Sequence, residues 1–299
     1  MQSDNNLKGV VLMASGFFSF SACDAIAKLL TESLHPLQIV WLRMLGLFIG
    51  VCVLILIRGV SVLHTPKPRL QVMRGVVAVG SATCFIIAVG YVPLADAVAV
   101  TFVAPFIVTV LGALVLKEPV GIRRWLAVVA GFIGMLIVIR PGLGLFHPAI
   151  LLVVVAAVFF AIRQLLSRWL SGVDAVTTTV AYTAIVAFGL TSLTLPFVWV
   201  TPGGGKMLLM ISAMAILSAI GEVLIIRALD IAQSVALAPV HYTLIIWSTF
   251  YGYVIFSDLP DRWTLFGCCI IVISGLYTSY REFVLSKKTQ LVTGTEGRT

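Results

Sequence analysis

The chain has 299 residues, 60% of them hydrophobic and only 11% charged, with a mean hydropathy of +1.11. A soluble domain carries about 25% charged residues, so this pool cannot cover a water-facing surface, and the class is an all-α polytopic membrane protein. The net charge of +8 does not gather into a patch or tract, as a nucleic-acid surface requires. The basic residues punctuate apolar runs instead, where topology signals sit.

An apolar stretch of about 20 residues crosses a bilayer as a helix. In chain order, ten such stretches cover 8–30, 36–57, 70–90, 93–116, 123–140, 147–169, 175–200, 206–227, 232–256 and 262–281. The first is read as a retained span, since no small-x-small cleavage site precedes a soluble domain and Asp24 and Lys28 interrupt its apolar run. The short connectors carry helix breakers: His35-Pro36, Thr65-Pro66-Lys67-Pro68, Lys117-Glu118-Pro119, Arg140-Pro141-Gly142, Thr201-Pro202 and Leu259-Pro260. Ten spans bring both termini to one side. With that side as the cytoplasm, fifteen of the twenty Lys and Arg residues lie inside; Lys28, Arg140, Lys206 and Arg262 lie outside, and Arg43 lies within the second span. The positive-inside rule then places both termini in the cytoplasm, and the bacterial inner membrane is the expected location. Residues 284–299 are polar and read as a disordered tail.

Charges inside a span are costly and mark pairing or function. In span one, Asp24 and Lys28 share a helix face; Arg43 sits two turns into span two, about 10 Å from its outer end at about 1.5 Å per residue. They form either a structural network or an extracellular gate. Arg163 and Glu222 stand toward the cytoplasmic ends of spans six and eight; they are a candidate inner latch, with Arg227 as another partner for Glu222. Pro105 in span four and Pro239 in span nine interrupt their helices and are candidate hinges. His241 lies well inside span nine, as a proton switch or a neutral hydrogen-bonding group. Trp247 is deep in the same span, whereas the other tryptophans lie near span ends as anchors. With Phe85, Phe102, Phe159 and Tyr242 it is a candidate wall for a flat apolar substrate, with Thr101 and Gln164 as polar contacts; the alternative for each ring is ordinary packing. Gly46 and Gly50 form a GxxxG packing motif, with a dimer contact as the lesser alternative. Cys23, Cys52, Cys84, Cys268 and Cys269 all lie in apolar stretches without ligand spacing, so no metal, disulfide or cofactor is expected.

Two short patterns recur. Leu94-Ala-Asp-Ala-Val-Ala-Val100 resembles Ile231-Ala-Gln-Ser-Val-Ala-Leu237, 137 residues later, and the Arg-Trp pairs ending at Trp125 and Trp263 lie 138 apart, each after an acidic residue and a proline. The unit is five spans. Because five is odd, the second copy enters the membrane from the opposite side, which yields two inverted halves, 1–142 and 143–283. That architecture is characteristic of secondary transporters.

Ten spans in two halves, Lys117-Glu118-Pro119 after span four and Ile139-Arg-Pro-Gly142 after span five resemble the EamA-type branch of the drug/metabolite transporter superfamily, over residues 8–283. The second-half run His241-Tyr-Thr, Trp247, Phe256-Ser-Asp258 and Pro260 is most similar to the YddG-like exporters of aromatic and neutral amino acids. The resemblance implies a central cavity lined mainly by spans three, four, eight and nine, a small-molecule substrate and export by alternating access. Membrane lipid is the other expected partner, and the chain is read as a monomer. Export of lipophilic cations is the alternative within transport; it would need an unpaired acid facing the cavity, for which Glu222 is the candidate. A scaffold or intramembrane enzyme is the alternative outside it, but the chain shows no GxSxG, HExxH or nucleotide-binding glycine loop.

Overall fold

The computed structural model describes residues 2–115, 117, 121–140, 147–170, 173–232 and 237–296. Glu118, Pro119, Pro141 and Gly142, used in the repeat and in the family resemblance, lie outside the described residues. Eleven α-helices follow one another: α1 (Gln2–Leu30), α2 (Pro36–Arg58), α3 (Pro68–Val89), α4 (Leu94–Thr101), α5 (Ala104–Val115), α6 (Ile122–Ile139), α7 (Ile150–Leu170), α8 (Val176–Val198), α9 (Gly204–Ile231), α10 (Thr243–Phe256) and α11 (Arg262–Glu296). Short 3₁₀ turns cover Val60–Leu63 and Ala238–Tyr242. No strand occurs among the described residues.

These elements give the ten spans, with α4 and α5 sharing the fourth and the 3₁₀ turn and α10 sharing the ninth. Among the described residues, seven helices are long and apolar enough to cross a membrane, and α6 and α11 contribute shorter apolar stretches, Trp125–Ile139 and Arg262–Thr278. Local chemistry sets the starts. Pro36 and Pro68 occupy first-turn positions, where a missing N–H costs nothing, and His35 Nδ1 accepts from the Leu37 N–H at 3.3 Å. The backbone of α11 is helical to Glu296, into the segment 284–299 read above as a disordered tail.

The two prolines do not kink continuous helices. Span four stops at Thr101, is capped at Phe102, and restarts at Ala104 with Pro105 in the new first turn. In span nine, Pro239 lies in the first turn of the 3₁₀ segment that precedes α10. A proline breaks the hydrogen-bond ladder behind it and is tolerated at a helix start, so Pro105 marks a restart and Pro239 opens the 3₁₀ turn before α10. Both broken spans also end alike: Lys117 and Ser257 have φ of +53° and +58°, unusual for residues with a side chain.

Packing pairs helices across the halves. The most extensive contacts are α1 on α9, α3 on α7, α6 on α11 and α2 on α8. Numbered as spans, these are 1–8, 3–6, 5–10 and 2–7. Exchange of the halves turns 1–8 into 6–3 and leaves the other two unchanged. The span 1–9 contact has its counterpart in 6–4, and 3–7 in 8–2.

Between membrane helices, close approach and van der Waals contact replace the hydrophobic drive of water. Gly16 and Gly221 face each other where α1 meets α9; Gly134 and Gly267 do so where α6 meets α11, a Cβ on Gly134 standing 2.9 Å from the Gly267 carbonyl oxygen. Of the GxxxG pair, only Gly46 is used, packed on the Ala215 backbone; a Cβ on Gly50 would meet nothing within 4 Å.

Candidate functional site

The two helix breaks meet. Phe102, at the end of α4, stacks on Tyr242, the last residue of the 3₁₀ turn, with centroids 5.1 Å apart and an interplanar angle of 25°. The Tyr242 hydroxyl occupies the place a Cβ on Gly275 of α11 would take, and the Phe106 ring fills the equivalent place at Gly131 of α6. Each broken span thus seats a ring in a glycine of the last span of its own half. Tyr242, expected as a substrate wall, is held between Phe102 and Gly275.

Below this stack lies a set of internal charges. Asp24 Oδ1 accepts from Arg43 Nη1 at 2.6 Å, both side chains largely buried, and the Arg43 guanidinium lies 5.6 Å from the centre of the Phe20 ring. Arg74 of α3 donates to Ser167 Oγ at 2.8 Å and to Thr183 Oγ1. Arg163 of α7 lies over the Phe160 ring at 4.7 Å. Glu222 of α9 acts electrostatically on Arg43, Arg74 and Arg163. Asp24 thus has Arg43 as its partner, while Glu222 shares the interior with all three guanidiniums. Among the described residues no ion pair joins Arg163 or Arg227 to Glu222, so the expected inner latch is not formed here.

Lys28 departs from expectation. It does not join Asp24 and Arg43; its Nζ donates to the Val92 carbonyl at 2.9 Å, lies 3.6 Å from Asp258 and sits over Phe256 at 4.7 Å. The physical reason is direction: Lys28 is one turn beyond Asp24, level with the connectors after spans three and nine. Nearby, Arg140 pairs with Asp261, which also accepts the Thr264 backbone N–H at 2.8 Å. Hydrogen bonding to Arg140 is the main cause that holds the Asp261 carboxyl down at about 2. Tyr91 stacks on His147 at 5.3 Å, and Gln38 exchanges two hydrogen bonds with the Val200 backbone at 2.7 and 2.9 Å. Together these tie span ends and connectors to one another at the end opposite the termini. At the terminus end, Asp174 accepts from Thr65 and Gln71, each at 2.7 Å, and joins span three to span seven.

The remaining candidates divide. Gln164 of α7 and His241 lie on the half of their spans toward the termini; His241 tilts against Phe17 at 4.9 Å with Nδ1 3.4 Å from the Leu237 carbonyl. Phe85 packs against two separate core clusters, one around spans four to six and one around spans one, two and eight. Phe159 lies against Gly80 of α3, and Thr101 donates to the Val98 carbonyl within its own helix at 2.6 Å. Trp247 meets Phe18 of α1 edge-on at 5.1 Å, and its indole Nε1 is buried without a hydrogen-bond partner among the described residues. The sequence analysis gave Arg74, Asp258 and Asp261 no site role, Asp258 serving there only in the family resemblance. A lone Arg inside an apolar span was the available signal for the first; nothing in the spacing of the other two announced their partners.

Apolar helical spans with charged side chains among them make this a multi-pass membrane protein. Residues 7–140 match the model of the EamA-like transporter family. The chain is similar to the S-adenosylmethionine uptake transporter of Rickettsia felis, 27% identical over 92% of this chain and 94% of that one. It is also similar to the pseudopaline exporter CntI of Pseudomonas aeruginosa, 26% identical over 91% and 95%, and to a riboflavin transporter of Vibrio cholerae, 29% identical over 76% of each. A solved crystal structure at 18% identity superposes with a TM-score of 0.64 over 95% of this chain and 99% of that one, and shares the fold.

Proposed function

We propose that the chain is an inner-membrane secondary transporter for amino acids and metabolites with an amino-acid head, working by alternating access between two inverted five-helix halves, 1–142 and 143–283. The observation that carries this is the internal, partly buried set Arg43–Asp24, Arg74, Arg163 and Glu222. Guanidiniums suit a carboxylate, a carboxyl group suits an ammonium, and Phe85, Phe160 and Phe17 supply apolar and ring surface nearby. Three guanidiniums against two carboxyl groups disfavour the alternative cargo, a lipophilic cation. The exchange symmetry of the packing, the paired helix breaks and the left-handed residues at Lys117 and Ser257 support the inverted repeat.

Relatives are named for uptake and for export, so the direction follows the substrate gradient; export of aromatic and neutral amino acids is one case. S-Adenosylmethionine, with an amino-acid end and a flat ring, fits the same chemistry. The ties at Lys28 and Arg140 support a state closed outward. Closure at the terminus end brings Glu222 onto Arg163 as the outer ties part.

Proteoliposomes with labelled tryptophan and S-adenosylmethionine test this. Saturable uptake is expected, competed by free amino acid and not by its methyl ester. Flux of a lipophilic cation with none of either amino acid would transfer the case to the drug reading.

A further inference from the structure

We infer that a groove between α6 and α11 binds one anionic phospholipid of the leaflet on the side of the termini. The two helices are tied at one end by Arg140 and Asp261 and touch at Gly134 and Gly267. Beyond that crossing, toward the termini, they leave a groove of about 430 Å³, within the roughly 300–1,000 Å³ of small-molecule sites.

Both walls follow one helix face. Arg123, Leu126 and Ala130 line it from α6, with Ile270, Ile273 and Tyr277 opposite on α11, each set at i, i+3, i+7. From Arg123 to Ala130 is about 10 Å along the helix, most of the roughly 15 Å that one leaflet gives to a hydrocarbon core of about 30 Å. Leu126 and Ile273 are 62% and 68% exposed, so the groove opens sideways into lipid. An acyl chain fits its depth and chemistry.

Charge selects the headgroup. Arg123 stands exposed at the rim in the first turn of α6, with no hydrogen bond or ion pair among the described residues, and Arg124 follows it in sequence. Basic pockets between membrane helices attract anionic headgroups. A second copy of this chain fits less well, because a two-fold contact centred on the groove brings Arg123 toward its own counterpart.

The test is lipid retention by the full chain after delipidation in detergent, read by native mass spectrometry with phosphatidylglycerol and phosphatidylcholine at equal concentration. The wild type is expected to retain phosphatidylglycerol at least fivefold over phosphatidylcholine, in one copy. Arg123→Gln should bring that ratio close to one, and Ala130→Trp, which fills the groove from a lipid-facing position, should reduce retention of both lipids. Thermal melting identifies any variant that fails to fold, and Leu126→Gln, which keeps the charge, then replaces it as the groove lesion. Equal retention by the wild type, an unchanged ratio in Arg123→Gln, displacement of the lipid by millimolar inorganic phosphate, or a dimer lost on Ala130→Trp would each overturn the assignment.

Discussion

Gly275→Ala is the sharpest probe of how the two broken spans are seated. Its new methyl group falls on the Tyr242 hydroxyl, with Cζ at 2.8 Å and Cε1 at 3.4 Å. The ring has little room to retreat, because Phe102 covers its other face at 5.1 Å. Forcing one methyl into a packed site costs about 1–3 kcal/mol, and for a chain of this size about 1 kcal/mol lowers Tm by roughly 2–4 °C. A fall of about 2–12 °C in detergent is therefore expected for Gly275→Ala. Tyr242→Phe removes the overlapping oxygen but leaves Cζ close, so the double variant should recover about half of that loss. The two substitutions touch, so their effects should depart from additivity by more than about 0.5 kcal/mol. Scanning fluorimetry of the four proteins reads this directly. An unchanged Tm in Gly275→Ala, or a strictly additive double variant, would refute the seating.

Asp24→Asn should destabilise by about 3–5 kcal/mol, because it leaves the Arg43 guanidinium buried without its counter-charge; chemical denaturation in detergent checks it, and Asp24→Leu with Arg43→Met should be milder. Lys28→Met should weaken the outer closure, seen as faster modification of a cysteine placed at Val92 by a membrane-impermeant thiol reagent added from outside. Glu222→Gln should keep the wild-type Tm yet lower flux at least tenfold if the inner latch forms during the cycle; unchanged flux would remove Glu222 from it. The Arg140–Asp261 tie belongs to a carboxyl held at about 2, below the ordinary aspartate value of about 3.9. Its contribution is complete above the ordinary value and is lost only as pH falls toward 2. Outer closure measured by the same thiol assay should thus be flat from pH 5 to 8, and Asp261→Asn should open it at every pH in that range.

Span number and limits were legible because twenty-residue apolar runs and proline-bearing connectors are strong local signals. Pro105 and Pro239 revealed where helices are interrupted, but not that one marks a restart and the other opens a 3₁₀ turn, since this depends on how Phe102 and Tyr242 pack on one another. Asp24 and Arg43 were paired correctly, both being costly in lipid and near the same end. Lys28 was misassigned because helix-face spacing says nothing about connectors arriving from elsewhere. Tyr242 and Trp247 look alike in sequence as rings deep in span nine. Only the glycine at 275 and the ring of Phe18 determine that one fills a socket and the other packs against span one.

The central claim is that this chain is a carrier that exposes one site alternately to the two sides. Counterflow tests it most directly: proteoliposomes preloaded with unlabelled tryptophan or S-adenosylmethionine take up the labelled form from outside. Preloading should accelerate initial uptake several-fold and drive a transient accumulation above equilibrium. Uptake that is indifferent to preloading for every amino-acid-headed substrate would contradict alternating access through this fold.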